Sequence, residues 1–347
     1  MAKIIGGFAS SHTPLMYMKG EDWGKRGEQD RRNRELIKMP EGRRVTYDEL
    51  ERLADPEIAK QINVETFMMK EESIQRGLDE LESRFVQTDA DVVVMFGDDQ
   101  SEFFFDDNMP SINVYWGDKI HVLPRGDAGG PLRSYLTEEQ DWPVASDLGL
   151  HIIESLMDMD FDLSHSQYQR EAYGGKIGPA TYYLDMERST EPRPFGIPHA
   201  FGFPMGRWMG KKQTPIVPIT LNTCYPPNWI SPRRAYALGR AVREAISTWS
   251  GDLKVAIASS GGLSHFVVDE EIDRIALKGL NEASAEILST LPRHRMQSAT
   301  TETLNWVATQ GAMGDTPMEI LTYEPGYRSL AGTGCGCAVG HWEPSGK

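Results

Sequence analysis

Apolar residues fall along the chain in short runs that alternate with amphipathic stretches. Ile4-Ile5-Gly6-Gly7-Phe8-Ala9 reads as a buried strand delivering the polar loop Ser10-Ser11-His12-Thr13-Pro14. Residues 66–86 place Ile74, Leu78, Leu81 and Phe85 on one stripe, the spacing of an amphipathic helix. Asp91-Val92-Val93-Val94-Met95-Phe96-Gly97 is continuously apolar after its first residue, as in a strand covered on both faces, and it ends in Asp98-Asp99-Gln100. Val144, Leu148, Ile152 and Leu156 predict a helix from about Pro143 to Met157. Short strands are predicted over Phe161-Asp162-Leu163 and over residues 216–221. Ser231 fits a helix N-cap and Pro232 the first helical position, ahead of the stripe Leu238, Val242, Ala245 and Trp249. Residues 253–258 form a further strand that runs into Ser259-Ser260-Gly261-Gly262-Leu263-Ser264-His265. Helical stretches follow from Asp269 and over residues 300–309, the second stopping at Gly311-Ala312-Met313-Gly314. A small-residue strand over residues 334–339 closes the pattern.

Strands alternating with helices predict an α/β fold: a single large domain with a central mixed sheet flanked by helices. Two segments interrupt the alternation. Residues from about 20 to 65 are polar and charged, with a helix at Asp48–Leu53, and read as a helical insertion. Residues from about 166 to 198 read as a long loop excursion. Loops of that length in compact proteins commonly cover binding sites. Tyr168, Tyr173, Tyr182 and Tyr183 with Arg170, Lys176, Arg188 and Arg193 would suit a lid over a carboxylated ring, and equally a solvated loop.

Charge narrows the partners. The 347 residues carry 36 Lys+Arg against 51 Asp+Glu, a formal net charge of -15. Such a surface repels nucleic acid and anionic membranes, so neither is expected as a partner. No apolar run is long enough for a transmembrane helix, and the N-terminus lacks the pattern of a signal peptide. Cys224, Cys335 and Cys337 make no disulfide framework, and Cys335-Gly-Cys337 is too tight for a CxxC zinc knuckle, so a reducing cytoplasm is the expected compartment. Neither a P-loop, nor a GxGxxG turn, nor a GxSxG elbow, nor HExxH is present.

The candidate chemistry sits where strands end. His12 and His265 each follow an apolar strand, the place where α/β proteins put their sites. Gly261-Gly262 would let the backbone turn tightly before His265. His199 ends the long excursion among apolar residues, and Glu302 shares a helical stretch with Trp306. A buried carboxylate at Glu302 needs a cation, a metal or a proton. Taken singly, each of these residues is as well explained by an ordinary hydrogen bond or a solvated face. Asp98 and Asp99 suit metal ligands, a helix cap or partners of ligands, while His151 and His294 read as structural.

Taken in order, the motifs resemble the class III extradiol ring-cleavage dioxygenases. The likeness rests on Ser11-His12-Thr13-Pro14, Gly97-Asp98-Asp99-Gln100, Ile197-Pro198-His199 and Arg233-Arg234-Ala235-Tyr236-Ala237-Leu238-Gly239. It continues through Gly261-Gly262-Leu263-Ser264-His265 and Trp306 with Gly311-Ala312-Met313-Gly314. The resemblance implies non-haem Fe(II), a small aromatic substrate, dioxygen, and assembly as a homo-oligomer. It assigns His12 and Glu302 as metal ligands, His265 as the acid and base of ring opening, and His199 as a second active-site histidine that contacts substrate. Gln100 stands where the family has its second histidine ligand. Three arrangements follow. Gln100 ligates through its amide oxygen; or Asp98, Asp99 or His165 completes the site; or the scaffold serves a hydrolase or lyase with another metal or none, or a non-catalytic subunit.

Overall fold

The computed structural model describes residues 1–105, 108–124, 134–169 and 196–344. Thirteen strands occur among the described residues: β1 (Lys3–Ser10), β2 (Ile37–Lys38), β3 (Arg43–Arg44), β4 (Val92–Asp98), β5 (Ile112–Tyr115), β6 (Lys119–Val122), β7 (Gln140–Pro143), β8 (Ser164–Ser166), β9 (Ile216–Leu221), β10 (Lys254–Ser260), β11 (His265–Val267), β12 (Met318–Tyr327) and β13 (Thr333–Trp342). The helices are α1 (Trp23–Gln29), α2 (Tyr47–Leu53), α3 (Val64–Thr88), α4 (Ser146–Asp158), α5 (His199–Arg207), α6 (Pro232–Thr248), α7 (Glu270–Asn281), α8 (Ala285–Ser289) and α9 (Thr303–Met313). A nine-stranded mixed sheet runs β11-β13-β1-β10-β4-β9-β5-β8, with β12 paired to β13. Strands β1, β10, β4 and β9 are mutually parallel, whereas β13 and β5 run antiparallel to their neighbours in that block.

The sheet separates two apolar cores, and the alternation of side chains along each strand decides which core each residue joins. On β4, Val92, Val94 and Phe96 join α4, α6, α7 and α9 on one face, while Val93 and Met95 join α3 and α5 on the other. The predicted stripe Ile74, Leu78, Leu81 and Phe85 is buried along α3. Asn63 caps that helix through the Thr66 N–H, and Ser231 caps α6 through the Arg234 N–H. No helix among the described residues is long and apolar enough to cross a membrane.

Helices α6 and α9 approach until backbone meets backbone. A Cβ at Gly239 would lie 1.8 Å from the Ala308 carbonyl oxygen, and one at Gly311 would lie 2.2 Å from that of Tyr236. Gly239→Val should therefore force the helices apart and cost about 1–3 kcal/mol or more in urea unfolding, with the midpoint falling accordingly.

Three elements differ from the sequence pattern. The strand expected at Phe161–Leu163 forms at Ser164–Ser166, because Phe161 is buried in the core with the Arg234 guanidinium 4.2 Å from its ring centre. Helix α5 contains Pro204 and two glycines, which argue against a helix locally, yet it is buried from Ala200 to Arg207 and tertiary packing overrides propensity. The helix expected at residues 300–309 begins as a 3₁₀ turn at Ser298–Glu302 and continues through Gly311 to Met313, ending at Gly314 with φ 65°. Of the lid residues, Tyr168 is exposed, and the remainder of that expectation lies at 170–195, outside the described residues.

Candidate metal centre

The parallel strands β1, β10 and β4 end at one edge of the sheet, with Ser10 beside Ser260 and Ser259 beside Phe96. The loops leaving them carry His12, the Gly261–His265 turn, and Asp98 with Gln100. Glu302 enters as the last residue of the 3₁₀ turn and the N-cap of α9. His12, Asp98 and Glu302 are all buried, and one ligand atom from each lies within 4.8 Å of the others.

Each side chain is held from behind. The Nδ1 edge of His12 faces the Ser260 hydroxyl at 2.8 Å, which turns Nε2 toward Glu302. Asn305 donates from Nδ2 both to Asp98 Oδ1 (2.9 Å) and to the Ser260 carbonyl (2.8 Å). Glu302 Oε2 accepts the Gly262 N–H at 2.6 Å. Gly262 has to be glycine here, since a Cβ would fall 1.5 Å from His265 Cε1. The glycine pair thus admits Glu302 and the His265 ring to the same small space.

Charge explains why this constellation wants a cation. Burial works against the charge of Glu302, but His265 and His12 hold its carboxyl well below the usual range. Burial, and then the charge of Glu302, push Asp98 upward. His12 Nε2 lies 3.2 Å from Glu302 Oε2, yet this buried nitrogen has no hydrogen-bond partner in acceptable geometry. Two buried carboxylates and an orphaned imidazole nitrogen converging on one point are a donor set that could hold a divalent cation.

Gln100 reaches this cluster with its nitrogen. Nε2 donates to Asp98 Oδ2 (3.1 Å) and to Glu302 Oε1. Of the three other residues that could complete the site, only Asp98 is in the cluster. Asp99 spends its oxygens on the backbone N–H groups of Ser101, Glu102, Phe103 and Phe104, closing the turn after β4. His165 sits on β8 at the far side of the sheet, where its Nδ1 accepts from Trp116 Nε1. His151, expected to be structural, bridges α4 to the Ala245 carbonyl of α6 at 2.9 Å.

Both other candidate histidines border the cluster. His265 donates from Nδ1 to the Leu263 carbonyl (3.0 Å), which leaves Nε2 3.9 Å from Glu302 Oε2. Burial opposes its charge, but Cys335 across the β11–β13 pair, and Glu302, outweigh that and raise its pKa to about 10. The His199 ring packs edge-on to His12 with centroids 4.5 Å apart. Sequence reasoning passed over Ser260, Asn305, Cys335 and Asp273, which orient these groups. Ser260 at the end of β10 and Asn305 one helical turn from Glu302 could have been marked by position, whereas Cys335 inside β13 and Asp273 inside α7 carried no such signal.

Asp273 secures the turn that carries His265. Its oxygens accept from Ser264 N, Ser264 Oγ and Tyr323 OH, each at 2.8 Å. Burial pushes its pKa up to about 7 despite those bonds. A carboxyl whose pKa is higher folded than unfolded adds stability that is complete below the unfolded value and lost as pH rises through the folded one. The wild type should therefore gain melting temperature relative to Asp273→Asn on acidification from about pH 7 toward pH 4. Both hydroxyls can reverse to accept from the asparagine, so the variant keeps the turn. A constant gap between the two melting curves over this range would refute the assignment.

A family model described as the catalytic LigB subunit of aromatic ring-opening dioxygenase matches residues 66–337. A gallate dioxygenase from Pseudomonas putida is 34% identical over 178 residues, which is 51% of this chain and 43% of that protein. A 2,3-dihydroxyphenylpropionate/2,3-dihydroxicinnamic acid 1,2-dioxygenase from Cupriavidus necator is 25% identical over 177 residues, 51% of this chain and 44% of its own. A protein of the same description from Cupriavidus pinatubonensis aligns to the same extent. The chain thus matches less than half the length of each of these relatives.

Proposed function

Because this chain belongs to the family of catalytic LigB subunits of aromatic ring-opening dioxygenases, we propose that it is a non-haem Fe(II)-dependent extradiol dioxygenase. It opens the ring of a catechol or gallate-type aromatic acid with dioxygen. The observation that carries this reading is the orphaned Nε2 of His12, buried against Asp98 and Glu302. Imidazole with carboxylates suits Fe(II). In this reading His12, Asp98 and Glu302 hold the ion. Gln100, which the family resemblance put in a ligand position, instead donates its amide hydrogens to the two carboxylates and fixes their spacing. Residues 1–347 act as one catalytic domain, a reading supported by the buried Asp30–Arg328 pair that ties the 20–65 segment to the final hairpin.

Iron held there would supply the centre through which electrons pass from the aromatic diol to dioxygen. The remaining work falls to the chain. Burial of the cluster excludes bulk water and strengthens every charge in it. His265, with Nε2 3.9 Å from Glu302 Oε2, enters as the acid and base of ring opening. His199 faces the same space and orients the substrate hydroxyls, the complementary half of acid–base catalysis.

The test is anaerobic loading with Fe(II), then oxygen uptake with gallate, methylgallate, protocatechuate and dihydroxyphenylpropionate. At least one should give uptake in step with a yellow ring-fission product. Silence across the panel from protein carrying one iron per chain would defeat the proposal.

A further inference from the structure

The turn after β4 does more than deliver Asp98. Asp99 gathers the N–H groups of residues 101–104 around its own carboxylate, with Ser101 at φ 61°, and so throws the next acidic residue toward helix α5. There Glu102 meets His199 twice. Its oxygens accept the His199 backbone N–H at 3.1 and 3.2 Å and the ring Nδ1 at 2.6 Å. Pro198, at the N-cap, offers the helix no side-chain bond, so Glu102 supplies the cap from another part of the chain.

We propose that Glu102 is a positioning residue for His199, fixing both its ring orientation and its tautomer so that Nε2 is left as the hydrogen-bond acceptor for a substrate hydroxyl. An ionised carboxylate can only accept, so Nδ1 must carry the hydrogen and the lone pair of the neutral ring is on Nε2. The two-point grip on ring and backbone stops the ring from rotating. The His199 ring lies against that of His12, centroids 4.5 Å apart and planes nearly perpendicular, and no partner for His199 Nε2 occurs among the described residues. This is the arrangement in which a carboxylate makes a histidine a directed base. The assignment rests on the dioxygenase reading for the identity of the hydroxyl, but not for the tautomer.

Nitrogen-15 spectra of the histidine rings in the iron-free full chain test it, with His199→Gln identifying the signal. The wild type should show His199 as the Nδ1–H form. Glu102→Leu should shift it toward Nε2–H and lower kcat on the best diol roughly 10- to 100-fold. Glu102→Gln, whose amide oxygen still accepts from Nδ1, should keep the tautomer and recover much of kcat; the tautomer is the readout that a merely structural cap would leave unmoved in Glu102→Leu. An Nε2–H ring in the wild type, or a tautomer indifferent to Glu102→Leu, overturns the proposal. The wild-type spectrum needs no substitution, so a variant that fails to fold does not shield it. A responsive tautomer in a protein that turns over no diol counts against the dioxygenase reading and for the hold of Glu102 on His199.

Discussion

Glu302→Ala is expected to abolish metal binding and oxygen uptake together while leaving the metal-free protein folded. Glu302 accepts from Gly262 with one oxygen and from Gln100 with the other, and His12 and His265 face it at 3.2 and 3.9 Å, so its removal takes away the carboxylate on which the cluster converges. Asp98 would remain as a lone buried carboxylate with one imidazole, too few donors to hold a divalent ion against water. The loss in affinity should exceed the roughly 10- to 100-fold seen when only partners of ligands are removed. Three readouts separate this from misfolding. Iron content should fall far below one per chain, and oxygen uptake should fall with it. Added Fe(II) should raise the melting temperature of the wild type with the logarithm of ligand concentration over Kd, and in the variant that rise should vanish. The metal-free melting temperature should hold, because relief of the Asp98–Glu302 repulsion offsets the lost hydrogen bonds. A variant that keeps its iron would end the assignment of this cluster as the metal centre.

The largest stability loss is expected from Arg328→Leu. Arg328 and Asp30 form a fully buried bidentate pair at 2.7 and 2.9 Å, and Thr333 donates a further bond to Asp30 at 2.6 Å. Removing the arginine strands a carboxylate in the core, which costs about 3–5 kcal/mol. Replacing both partners, Asp30→Leu with Arg328→Leu, removes the charge as well as its counterion and should recover most of that loss. Urea unfolding of the wild type, the two single variants and the double variant completes the cycle. A double variant no better than the Arg328 single would show that the pair is worth its full gross interaction energy. The substitution should also reach the site, since Arg328 Nη1 lies 3.7 Å from the Cys335 sulfur, which faces His265 across the strand pair.

Much of the scaffold was visible as pattern. The apolar run of β4 and the largely apolar runs at β9 and β10 announce strands covered on both faces, and the 3.6-residue stripes of α3, α4 and α6 announce helices lying on a sheet. These signals are local, so one sequence window carries them. Strand β12 gave no such signal, because Pro325 and Gly326 interrupt it and four of its residues are only half buried; its partner β13 defines it. The same holds for α5, whose helical form depends on burial from all sides.

For the site, position at the end of a strand was enough to nominate His12, Asp98 and His265, and ordered likeness to a family gave His199 and Glu302 their roles. Chain distance conceals the rest. His12 and Glu302 are 290 positions apart, and only the parallel order of β1 and β10 and the capping turn of α9 make them neighbours. Which atom Gln100 turns inward, and that Glu102 rather than a nearby residue grips His199, depend on rotamers chosen by competition among buried polar groups. Local composition records which residue types are available. Their pairing is settled by desolvation, because in a water-free interior each donor must find an acceptor wherever the fold brings one, and that energy exists only once the chain has closed around it.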